Sequence, residues 1–276
     1  VTPRHEQRNL RVGVFDSGFG GLTVLREIVK LLPEADSIYL GDTARLPYGS
    51  KSRETIVRYA VSSARFLQGQ GADLLVVACN TATALALDEI EAALPIPVIG
   101  VVAPGAEAAS ASAGGGGVLV LATAATVQSG AYSRALRGFG LAAYEKACPL
   151  LVPLVEEGWV EHPVTDEVLR IYLDEALRAA PETKTLLLGC THYPLIEQAI
   201  RRVLAASGHP MAIVDSARAT ALATARLVAE EFPDATAAER PSREFFATDS
   251  VEKFQRLGAD FLGQPVDEVK LVDLGG

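Results

Sequence analysis

Short apolar and β-branched runs recur along this chain, separated by longer stretches of helical period, and that alternation restricts it to an α/β fold built on mainly parallel sheets. Arg11–Phe15, Ser37–Leu40, Leu74–Ala78, Val98–Val101, Val118–Leu121, Thr185–Leu188, Ala212–Val214 and Glu244–Ala247 read as strands. Leu22–Leu31, Ser52–Gln68, Ala82–Ala93, Ser129–Leu136, Thr165–Ala179, Leu195–Ala206 and Val251–Leu262 read as the helices that cover them. In open sheets of this kind ligands bind beyond the carboxyl ends of the strands, so the residues just after each strand are the ones to read for chemistry.

Two of those ends are alike. Leu74-Leu75-Val76-Val77-Ala78 runs into Cys79-Asn80-Thr81, and Leu186-Leu187-Leu188-Gly189 runs into Cys190-Thr191-His192, each ahead of a helical segment. A second echo sets Arg11–Phe15 with Asp16-Ser17-Gly18 beside Gly117–Leu121 with Ala122-Thr123-Ala124. The repeat predicts two similar units, each a mainly parallel sheet flanked by helices, facing each other across a cleft. The second unit opens near Ala103-Pro104, after the Pro95–Pro97 segment, and the tail after residue 214 is too short for a third core. The expected division is 1–103 with 215–276 for the first, discontinuous domain and 104–214 for the second.

Composition narrows the partners. Net charge is −9, from 25 Lys and Arg against 34 Asp and Glu, with no dense basic run to hold a phosphate backbone, so nucleic acid is not expected. An anionic ligand must then be held by local amides, hydroxyls or a helix N-terminus. Val1–Leu10 is polar and no later run reaches membrane-spanning length, so neither secretion nor membrane association is expected. Three cysteines in 276 residues make a poor disulfide framework and suit reduced thiols in a cytoplasm.

The candidate chemical groups divide on local pattern. Asp16-Ser17-Gly18-Phe19-Gly20-Gly21 is a carboxylate and a glycine turn at a strand end, either a loose anion cradle or a tight turn with a solvated acid. In Gly41–Gly49, Tyr48 and Gly49 either line a pocket or form a turn before the next helix. A lone buried cysteine is commonly a small apolar residue, but Cys79 sits at a strand end beside a helix N-terminus, where a thiol can be drawn toward thiolate. Asn80 and Thr81 bring groups able to bind a carboxylate, and Cys190 repeats the setting with His192 two residues on. Cys190 with His192 alone would serve a cysteine hydrolase. Zinc would need a second ligand pair, and none stands at ligand spacing. Two thiols on matching ends suit a task that needs a base on one face of a carbon and an acid on the other. Cys148, next to Pro149, reads as structural.

These motifs resemble the glutamate racemase family of the aspartate/glutamate racemase superfamily. The matching pieces are Phe15–Leu22, Gly41–Gly49, Ala78-Cys79-Asn80-Thr81-Ala82, Cys148–Gly158 and Gly189–Leu195, in the family's order. The resemblance implies interconversion of L- and D-glutamate, with D-glutamate supplied to bacterial peptidoglycan, and neither pyridoxal phosphate nor metal. It implies Cys79 and Cys190 as proton donor and acceptor, Asp16 and His192 as assisting groups, and Glu156 as a carboxylate linked to His192 or to the substrate ammonium. Asp16, Ser17, Tyr48, Gly49, Asn80, Thr81, Thr191 and His192 match substrate contacts, and the family pattern implies a homodimer. Aspartate racemisation, or a non-catalytic amino-acid sensor using the same cleft, are the neighbouring alternatives.

Overall fold

Two parallel sheets, each covered by helices, are assembled from one alternating run of strands and helices. The computed structural model describes residues 9–235 and 240–275, so most of the polar N-terminal stretch lies outside the described residues. In order, the chain forms β1 (Arg11–Asp16), α1 (Leu22–Leu31), β2 (Asp36–Gly41), α2 (Arg53–Gly69), β3 (Leu74–Val77), α3 (Asn80–Ala93), β4 (Val98–Gly100) and α4 (Val102–Ser112). It continues through β5 (Val118–Ala122), α5 (Ala124–Ser129), α6 (Ala131–Arg137), β6 (Ala143–Ala147), α7 (Leu151–Glu156), α8 (Pro163–Ala179), β7 (Thr185–Gly189), α9 (Glu197–Ala206) and β8 (Ala212–Asp215). It ends with α10 (Ser216–Glu231), β9 (Arg243–Ala247), α11 (Val251–Leu262) and β10 (Lys270–Leu271). Short 3-10 turns occupy Thr43–Arg45, Tyr48–Ser50 and Tyr193–Ile196.

The six-stranded sheet has the order β10-β9-β2-β1-β3-β4 and the four-stranded sheet β6-β5-β7-β8, with every described pairing parallel. Setting β2-β1-β3-β4 beside β6-β5-β7-β8 brings out the repeat: β1 corresponds to β5, and β3 to β7. Central strands such as β3 (Leu-Leu-Val-Val) and β5 are buried along their whole length, as expected where helices cover both faces. One apolar cluster runs through both units, joining Val12, Leu22 and Leu25 to Leu119, Leu186, Leu188, Tyr193 and Phe254. Tyr39 meets Phe254 edge-on at 5.8 Å within it.

Several elements depart from the expected pattern. β6 (Ala-Tyr-Glu-Lys-Ala) is a half-buried edge strand whose mixed composition hides it. The helix expected over Ser129–Leu136 is α6, which starts at Ala131, and a further helix not expected from sequence, α5, precedes it; the two meet at Gly130, whose φ of +62° is left-handed and ends a right-handed helix. α10, with 16 residues, was not expected as a helix. It packs between α1 and α4 through Ala217, Ala221 and other small residues, which allow close approach and leave no stripe of large apolar side chains. α4 and α7 carry Pro104 and Pro153 within their first turns, where the missing N–H is tolerated.

Candidate active site

Strand ends of the two sheets meet directly. Thr81 Oγ1, at the start of α3, lies 2.9 Å from Thr123 Oγ1 after β5 and 3.3 Å from Thr126 Oγ1. Thr23 Oγ1 in α1 donates to the Thr191 carbonyl at 3.1 Å. Tyr132 in α6 donates its hydroxyl to Asn80 Oδ1 at 2.6 Å. Gly20 lies so close to the second unit that an added Cβ would stand 2.1 Å from Thr191 Oγ1 and 2.6 Å from His192 Nδ1.

Cys79 and Cys190 follow the corresponding strands β3 and β7, and both are buried. Cys79 caps α3: its sulfur accepts from the Ala82 amide at 3.4 Å and donates to Ser17 Oγ at 3.4 Å. A helix N-terminus alone would favour thiolate. Here burial, reinforced by the Asp16 carboxylate, pushes the Cys79 thiol up to about 12, so desolvation outweighs the helix and the group rests protonated.

Asp16 closes β1 almost fully buried, and that burial raises its carboxyl above the usual range, against the pull of His192 and of the Gly18 and Gly21 amides. Its Oδ2 accepts from the Gly18 amide at 2.8 Å, whereas Oδ1 has no hydrogen-bond partner among the described residues. The Asn80 Nδ2 donor is likewise buried and unpartnered. A buried acceptor and a buried donor thus stand near Cys79, the kind of pair that a ligand's ammonium and carboxylate would complete.

On the other side, Cys190 Sγ lies 4.0 Å from His192 Nδ1, which also faces Thr191 Oγ1 at 3.4 Å. His192 Nε2 is 3.3 Å from Glu156 Oε1 at the end of α7. Burial disfavours a charged ring, yet hydrogen bonds to Cys190 and Glu156 prevail and raise His192 to about 10. Glu156 shows the mirror balance: burial opposes its ionisation, and His192 and Lys253 outweigh burial and hold its carboxyl below the usual range. The Phe261 ring meets His192 edge-on at 5.0 Å.

The loop residues take distinct positions. Tyr48 is buried, and its hydroxyl donates to Asp42 Oδ2 at 2.5 Å rather than standing open. Asp42 also accepts from Arg45 Nε at 2.7 Å and Thr248 Oγ1 at 2.9 Å, which fixes the loop. Gly49 lies against Thr123, where an added Cβ would stand 3.2 Å from the Thr123 Cβ. Cys148 is fully buried after β6 and donates to the Lys146 carbonyl at 3.6 Å, a packed position with its thiol pushed up to about 12 by burial.

Thr123, Thr126, Tyr132 and Lys253 converge on the same centre without having been singled out from sequence. Thr123 carried a signal, since it stands where Ser17 stands in the echo of β1 by β5; Tyr132 and Lys253 lie inside ordinary helical patterns and carried none. Among the described residues no group of three or more His, Cys, Asp or Glu side chains is set to hold a metal ion, and no helix is long and apolar enough to cross a membrane.

The Asp/Glu/hydantoin racemase family model matches residues 12–224. The glutamate racemase of Koribacter versatilis is 54% identical over 96% of this chain and 98% of its own length. Among solved structures, the glutamate racemase of Thermus thermophilus in complex with β-chloro-D-alanine is 43% identical with a TM-score of 0.86, covering 96% of this chain and 98% of that one. The glutamate racemase of Francisella tularensis in complex with D-glutamate is 34% identical with a TM-score of 0.88, at the same coverage.

Proposed function

The chain belongs to the Asp/Glu/hydantoin racemase family, and from that premise we propose that it interconverts L- and D-glutamate with Cys79 and Cys190 as a pair of acid/base thiols. It is an amino-acid racemase. The observation that carries the two-thiol reading is the placement of both cysteines after corresponding strands, β3 and β7, of two facing sheets. Such a placement offers one sulfur to each face of an α-carbon.

The reaction then runs in two proton transfers. One thiolate takes the α-proton, forming S–H while the Cα–H pair passes into the substrate carboxylate; the opposite thiol gives its proton to the other face, leaving a thiolate there. The α-proton is a very weak acid, so the site must stabilise the developing anion with preorganised donors in a water-poor cleft. Asn80 Nδ2, with the hydroxyls of Thr81 and Thr191, suits the carboxylate, and Asp16 Oδ1 suits the ammonium. Ser17, Tyr48 and Gly49 bound the side-chain end. His192 assists Cys190, and Asp16 stands beside Cys79. Only side chains and substrate take part in this scheme, with no cofactor.

The same reading divides the chain into 1–103 with 215–276 and 104–214, supported by β9 and β10 pairing into the first sheet and β5 to β8 forming the second. It takes the enzyme to be a cytoplasmic homodimer that supplies D-glutamate to peptidoglycan; the three unpaired cysteines accord with a reducing compartment. Following the circular dichroism of L-glutamate, and separately of L-aspartate, with purified protein and no added cofactor tests the substrate assignment. Decay of the glutamate signal to zero is expected; faster decay with aspartate would overturn it.

A further inference from the structure

One ion pair crosses the cleft from the tail of the chain. Lys253, in the first turn of α11, places Nζ 3.1 Å from Glu156 Oε2, while Glu156 Oε1 faces His192 at 3.3 Å. One carboxylate is therefore shared between the Lys253 ammonium and the His192 ring. The Lys253 ammonium also lies 5.3 Å from the centre of the Phe19 ring, which is itself packed on Phe254 at 5.7 Å. The start of α11 is pinned as well. Thr43 Oγ1 donates to the Asp249 carbonyl at 2.5 Å and accepts from the Asp249 amide at 2.8 Å, and Thr248 Oγ1 donates to Asp42.

Resting on the reading of Cys190 as one of the two acid/base thiols, we propose that Lys253 is a positioning residue for it, keeping the Glu156 carboxylate charged and aimed at His192. Without the Lys253 cation, a largely buried carboxylate is protonated more readily. It would then lose the charge-assisted hydrogen bond that orients the ring. Among the described residues, the side chains acting on Glu156 are His192, Lys253 and Asp16. His192 stands in the turn after β7, with Cys190 behind it, and Asp16 repels it from the end of β1. Glu157 adjoins it in the chain. Lys253 is the cation among them that does not depend on the state of the ring.

The test is kcat/KM for glutamate against pH in the wild type, Lys253→Met, Lys253→Arg, Glu156→Gln and the Lys253→Met/Glu156→Gln double variant, each checked by thermal melting. Loss of the cation should move the acid limb to higher pH by about one unit, because an opposite charge at this distance lowers a carboxyl by that order. Lys253→Arg should leave the limb near its wild-type position. In the Glu156→Gln background the Met substitution should no longer move it. Lys253→Gln replaces the Met variant if the latter melts early. A limb that stays put, a uniform loss at every pH, or a shift that persists without Glu156 would overturn the proposal. A wild-type protein that leaves glutamate unracemised would instead overturn the reading on which it rests.

Discussion

His192 is held between a thiol and a carboxylate, and its balance has a consequence for stability. The ring is raised to about 10 in the folded protein, because partners at Cys190 and Glu156 outweigh burial. In an unfolded chain the imidazole titrates near ~6.5. A raised value means that the folded state binds the proton more tightly, so the contribution is complete below about pH 6.5 and disappears as pH rises to about 10. His192→Gln should accordingly unfold at lower urea than the wild type at pH 6, with the gap closing by pH 10; an equal deficit at both would contradict the charged ring. Cys79 marks where sequence reasoning weighed the terms differently. Its helix-capping position was evident from the strand-end pattern, but the nearness of Asp16 and the depth of burial, which together keep it a thiol, depend on how β1 and β3 are packed side by side.

At the level of elements, the turn between β1 and α1 packs closely against the second unit across the cleft. A methyl group at Gly20 would collide with Thr191 Oγ1 and His192 Nδ1, so Gly20→Ala must push the turn and the His192 segment apart. A displacement near 1 Å costs about 100-fold in rate when it misplaces reacting groups. Gly20→Ala should therefore lose about that factor in kcat/KM while retaining its far-ultraviolet circular dichroism; wild-type activity would show that the turn carries no geometry for the site. Elements whose burial is simple were readable from residues alone: β3 and β7 are nearly continuous apolar runs because helices cover both faces. β6 was not, since an edge strand with Tyr, Glu and Lys shows neither continuity nor alternation. α10 was hidden because its contacts are made by small side chains rather than an apolar stripe. The same distinction applies to the site. Asp16, Asn80, Thr81, Thr191 and His192 lie at strand ends and could be singled out as candidates by position, whereas Tyr132 and Lys253 reach in from α6 and α11, along directions that exist only after the units have packed.

For the molecule as a whole, the repeat of β2-β1-β3-β4 by β6-β5-β7-β8 is the structural basis of the account. On the proposed reading, two similar half-sites facing each other would supply two similar bases to opposite faces of one carbon, while the surroundings differ: Cys79 has Ser17 and Asp16, and Cys190 has His192 and, through it, Glu156. The missing piece in the sequence reading was β6, without which the second half looked a strand short. The claim that both thiols exchange protons with substrate is tested most directly by isotope incorporation in deuterium oxide. L-glutamate and D-glutamate are each incubated to low conversion, and α-deuterium is measured in recovered substrate and in product. Two bases acting from opposite faces place deuterium in the product of inverted configuration and leave recovered substrate almost unlabelled, in both directions, with Cys79→Ala and Cys190→Ala each abolishing turnover. Equal labelling of substrate and product, or racemisation surviving loss of either cysteine, would contradict it.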